Sequence, residues 1–189
     1  MKKIVIALVF GVLAAVVLMG AVAAFTPVSG TQRAFHRWVP LPIACVGLSC
    51  LSYRDLAHDL DRNPDASPPE VLTRRLEERA LSLVAFREGI RVSDDDISGA
   101  VSGAREAVLG VPDGNSVVRD LYGAGWEASL ASAFQTLLLR EKLHAQGITS
   151  PWSATPAPTV TVWNMHLRWD PTSHQIVGKP SVAGAIKIR

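Results

Sequence analysis

Three groups of side chains in this 189-residue chain have the types that do chemistry. They are the run Asp94-Asp95-Asp96, the five histidines (His36, His58, His144, His166, His174) and the pair Cys45 and Cys50. Consecutive residues on a helix diverge by about 100°, so the three aspartates do not converge on one metal ion. At a helix start they answer the positive end of the dipole instead. The histidines are scattered, with no pair four residues apart and no zinc spacing to a cysteine. His166 and His174 could face each other across a hairpin, but without a carboxylate they specify neither a metal site nor a triad. Polar strand and turn positions account for them more simply. No nucleophile stands with a base. The expectation is therefore no catalytic residue, no metal and no cofactor.

Cys45 and Cys50 lie in a stretch, Val39 to Tyr53, that reads as an extended piece, a Gly-containing turn and a second extended piece. A tight turn of this kind brings two Cβ atoms within bridging distance. A local disulfide and a pair of buried thiols both fit. A redox pair does not, since that chemistry uses Cys-x-x-Cys at a helix N-terminus.

The elements that would position these residues are well punctuated. Gly89 has the place of a helix C-cap and Ser93 that of an N-cap, so Gly89 to Ile97 is a corner between two helices, with Ile90 and Val92 docking it into a core. The helix before the corner starts at Ser67-Pro68-Pro69-Glu70, where Ser and Glu have capping-box spacing and Pro suits the first turn. The helix after it runs from Asp94 to about Leu109 with a stripe of Ile97, Val101, Ala104 and Val108. Ser52 caps a short helix through Leu60. Ser116 to Leu121 is another short helix. A last helix from Trp126 carries Leu130, Phe134, Leu137 and Leu138 and stops at Gly147.

At the N-terminus, Met1-Lys2-Lys3 precedes Ile4 to Phe25 without a charge. Such a run meets the roughly 20 residues that span a bilayer, so residues 1–25 read as a signal anchor with the membrane as partner through residues 4–25. Ala21-Val22-Ala23 has the form of a cleavage site, so a signal peptide is the competing reading. Both place the remainder outside the cytoplasm, where thiols oxidise. Lys2 and Lys3 account for the whole net charge of +2. A charge-balanced body carries no basic stripe, and no nucleic-acid partner is expected. Residues 26–42 read as a polar stalk, 150–159 as a Pro/Ala/Thr linker, and 160–189 as a β-hairpin or meander. The hairpin would use Val160–Trp169 and Ile176–Gly178, with a third strand at Ala183–Arg189.

Three motifs, in order, carry a family likeness: Val46 through Ser52-Tyr53; Arg87-Glu88-Gly89-Ile90-Arg91-Val92-Ser93-Asp94-Asp95-Asp96-Ile97; and Leu121-Tyr122-Gly123 with Trp126 and Leu137 to Leu143. Residues 43–149 resemble the N-terminal chaperone domain of SurA-like and PrsA-like extracytoplasmic folding factors. Gly47-Leu48-Ser49-Cys50 departs from the family's Asn-Gly turn, and no parvulin domain is expected to follow. The resemblance implies a mainly α fold: a transmembrane helix, a compact multi-helix domain and a small β tail. It implies a module in the bacterial cell membrane, single-pass with its body outside, or secreted or periplasmic if the signal is cleaved. Its partners would be unfolded or exported polypeptides, held in an apolar groove near Leu83, Phe86, Trp126, Leu130 and Phe134. The alternatives are a structural or assembly protein of the cell envelope docking through the tail, and a peptidyl-prolyl isomerase, for which no catalytic domain is seen.

Overall fold

The computed structural model describes residues 2–26, 33–122 and 126–179, with the side chains of the first helix described from Ala14 on. The chain runs through helix α1 (Lys2–Phe25), a single turn α2 (Arg33–His36), strands β1 (Pro42–Val46) and β2 (Ser49–Ser52), and helices α3 (Tyr53–Arg62), α4 (Pro68–Arg87), α5 (Asp94–Leu109), α6 (Gly114–Tyr122) and α7 (Trp126–Ala145). Strands β3 (Val160–Val162), β4 (Leu167–Asp170) and β5 (Gln175–Gly178) follow. Two compact units result, one of residues 1–79 with 159–189 and one of residues 80–158.

In the first unit β1 is the organising strand. Ile43, Ala44, Cys45 and Val46 are all buried, because β1 is flanked on both sides in a sheet of order β2-β1-β3. The β1–β2 hairpin turns at Gly47, whose φ of +56° is the left-handed region that glycine enters freely. That turn sets Cys45 opposite Cys50, and a disulfide joins them with an S–S distance of 2.04 Å. Helix α3 starts with a reciprocal capping box between Ser52 and Asp55 and buries Tyr53, Leu56, Ala57 and Leu60. Asp59, also buried, is held by both Nε and Nη2 of Arg75 on α4. The β4–β5 hairpin packs in the same unit, with the Ile176 amide donating to Thr73 Oγ1 at 2.8 Å.

In the second unit the end of α4 and the C-terminal part of α7 share a core of Leu81, Val84, Ala85, Ile90, Leu139, Leu143 and Ala154. The corner that feeds α5 is built as its residues predict. Gly89 has φ +69°, and Ser93 and Asp96 form a reciprocal capping box.

The expected fold class needs correcting. The chain is a mixed helix-and-sheet protein, because β1 is a buried strand of the first unit, paired with β2 on one side and β3 on the other, and this sheet is not an appendage to a helical bundle. The expected strand Val160–Trp169 is broken in two, β3 pairing with β1 and β4 with β5; the possible third strand, 183–189, lies outside the described residues.

The transmembrane helix, the signal anchor and the single-pass membrane localisation are also overturned. Among the described residues no helix is long and apolar enough to cross a membrane. The end of α1 is instead held by protein. Ala23 is fully buried, and the Met165 amide donates to the Ala24 carbonyl at 2.9 Å.

Candidate functional site

The second unit holds an incompletely covered apolar seam. Two ion pairs show that α5 and α7 lie antiparallel: Asp96 at the start of α5 meets Lys142 near the end of α7 at 3.0 Å, and Arg105 meets Glu127 at 3.6 Å. Lys142 also donates to the Arg91 carbonyl at 3.0 Å, which ties α7 to the corner. The hydrogen bond from Lys142, and then those from Ser93, hold the Asp96 carboxyl below the usual carboxylate range.

Helix packing normally hides the apolar stripe of a helix. Here α5 contributes no fully buried residue at all. Its stripe (Ile97, Val101, Ala104, Val108) is half-buried, as are Leu130, Phe134 and Leu138 on α7. Leu109, Val111, Val117 and Leu137 are exposed. Such a surface can bury the side chains of another chain without first being unfolded.

The five residues expected in a groove are not alike in setting. Trp126 is buried and Phe86 is 76% exposed, while Leu83, Leu130 and Phe134 are half-buried. On α4 the buried positions are Leu81, Val84 and Ala85, so helical spacing turns Leu83 and Phe86 off the core face. Trp126, Leu130 and Phe134 follow one another every four residues on α7 and grade from buried to half-buried.

In the first unit a polar network passed unnoticed in the sequence. Asn164, buried, donates from Nδ2 toward the Tyr53 hydroxyl at 3.0 Å and the carbonyls of Thr26 and Ala23 at 3.2 and 3.4 Å. The His36 ring stacks on Tyr53 with centroids 5.0 Å apart, and its Nε2 lies 3.3 Å from Thr26 Oγ1. Burial lowers the pKa of His36 and raises that of Tyr53, so both are held neutral. Among the described residues His36 Nδ1 has no partner. The network is closed in by side chains, and its chemistry is that of a clamp on the end of α1. The one sequence signal for it is Asn164, a polar residue interrupting an alternating apolar run.

His166 and His174 sit at opposite ends of the β4–β5 hairpin. The His166 carbonyl accepts from the Lys179 amide at 2.8 Å, whereas His174 is in the turn beside Trp169, with rings 6.3 Å apart. Among the described residues no three His, Cys, Asp or Glu side chains gather as a metal site. No protein-family model, no curated protein and no solved structure matches this chain.

Proposed function

We propose that the unit formed by residues 80–158 binds apolar polypeptide segments along the α5–α7 seam, a holding activity of chaperone kind. The observation that carries the reading is that α5, a helix of 16 residues, buries none of them completely. A peptide laid on the seam would cover the half-buried stripes, and each fully covered Leu- or Phe-sized side chain is worth about 1.5–3 kcal/mol. The likeness to SurA-like domains at Gly89–Ile97 supports the same reading. The Cys45–Cys50 bond fits an oxidising setting, where unfolded exported chains are met.

The test is fluorescence anisotropy of labelled apolar peptides with the full chain, alongside suppression of aggregation of a reduced, unfolded client. Binding at about micromolar affinity, weakened by Val101→Ser with Leu137→Ser, is the expected result. Absence of binding by a chain whose circular dichroism is native sinks the proposal.

A further inference from the structure

Trp38 is 81% exposed, an uncommon setting for a side chain with so much apolar surface to hide. It borders a cleft of about 740 Å3 in the first unit, lined also by Arg37, Arg54, His58, Asp61 and Arg62. That volume lies in the range of about 300–1,000 Å3 typical of small-molecule sites.

The cleft is built by α3 and the segment before β1. Arg54, His58, Asp61 and Arg62 share one face of α3 by helical spacing, opposite the buried Leu56, Ala57 and Leu60. Backbone bonds bring Trp38 to that face. The Arg54 amide donates to the Val39 carbonyl at 3.1 Å, and the Tyr53 amide to the Leu41 carbonyl at 3.0 Å.

The charges do not balance. Arg37 spends its guanidinium on Asp61, with Nε and Nη2 at 2.9 and 2.7 Å from Oδ2. Among the described residues no hydrogen bond or ion pair engages the side chains of Arg54, His58 or Arg62. Arg54 stands in the first turn of α3, where the helix dipole disfavours a cation, and Arg62 lies two turns further along the same face. Two guanidinium groups on the cleft wall are therefore open to an anion.

We infer that this cleft binds a small organic anion: a phosphate or carboxylate group held by the guanidinium forks of Arg54 and Arg62, carried on a planar ring that stacks on Trp38. Guanidinium matches both oxyanions in a two-point geometry, and the indole face takes an aromatic ring in offset stacking. Arg37, fixed by Asp61, forms part of the cleft wall.

Isothermal titration of the full chain near 0.15 M salt, where long-range attraction is screened beyond about 8 Å, tests this. The probes are adenosine 5′-monophosphate, uridine 5′-monophosphate, phenyl phosphate and benzoate, with inorganic phosphate and adenosine as controls. At least one ring-bearing anion should bind about tenfold more tightly than either control. R54Q with R62Q should weaken it about tenfold or more, and Trp38→Ala should abolish the advantage over inorganic phosphate. All three side chains lie on the surface, and circular dichroism checks that the variants fold. The inference is overturned if no ring-bearing anion outbinds inorganic phosphate, or if R54Q with R62Q keeps the affinity of the parent.

Discussion

Asn164 and Tyr53 meet in the interior of the first unit, the amide nitrogen 3.0 Å from the phenol oxygen. The same amide reaches the Thr26 and Ala23 carbonyls, two of the orphan acceptors that every helix end leaves open. Asn164→Ala strands the Thr26 carbonyl and the tyrosine hydroxyl in a buried place, while the Ala23 carbonyl keeps the Thr26 hydroxyl at 3.3 Å. A loss of about 2 kcal/mol follows, read from the midpoint of urea unfolding. Amide exchange at the end of α1 should accelerate in the variant.

His36 sets a pH dependence. Its folded pKa is lowered by burial from the ordinary 6.5, so below that value the unfolded chain binds the extra proton first. Stability from this group is therefore complete above about pH 6.5 and falls as the pH drops through the lowered folded value. Urea midpoints measured from pH 7.5 to pH 5.5 should decline, and His36→Asn should flatten that decline. Equal slopes in parent and variant would remove His36 from the account.

Asp59 and Arg75 form a pair with one buried partner. The carboxylate, its hydrogen bond first among the causes, raises the pKa of Arg75, so the cation persists at any working pH. Arg75→Met leaves Asp59 as a buried charge without its partner. Because Arg75 is about a third exposed, the cost is nearer 2 kcal/mol than the 3–5 kcal/mol of a fully buried pair. A double-mutant cycle with Asp59→Leu should recover part of it.

Phe86 and Trp126 separate binding from folding. Trp126→Ala empties a buried position and should cost about 3 kcal/mol. Phe86→Ala, at an exposed site, should change stability by less than about 0.5 kcal/mol. If Phe86 belongs to the peptide surface, its variant nevertheless lowers peptide affinity at unchanged stability, as anisotropy and thermal melts together would show.

Two glycines should respond differently to alanine. At Gly89 an added Cβ meets nothing within 4 Å, so only the left-handed backbone resists, at about 1–2 kcal/mol. At Gly114 the added Cβ collides with the Val108 carbonyl oxygen. That backbone atom cannot swing aside, and Gly114→Ala should cost the larger amount, about 3 kcal/mol. Parallel denaturation curves decide the order.

What could be read in the chain was local. Ser52 with Asp55, Ser67 with Glu70 and Ser93 with Asp96 are capping pairs within four residues of each other, and Gly89 and Gly147 carry the positive φ their helix ends demand. The failures were nonlocal. The pairing of Ala44 with Val162 depends on a strand more than a hundred residues away, and no propensity in Val160–Trp169 says which neighbour each half will take. The apolar run at the N-terminus was read from hydropathy alone, which does not register that Ala23 and the carbonyls around it are held by Asn164 and Met165. Arg54, His58 and Arg62 have plain helical spacing, yet a charged face is usually just solvated. Its meaning came only when the Val39–Arg54 backbone bond set Trp38 beside it.

The first unit is discontinuous in sequence, with residues 80–158 interposed. During synthesis β1 and β2 can pair at once, but the other flank of β1 stays open until β3 arrives. The interposed helices, rich in short-range contacts, have time to form meanwhile. A nascent chain paused after Pro158 thus presents a bare strand edge, an invitation to pairing with a neighbour. β3, translated after those helices, seals it.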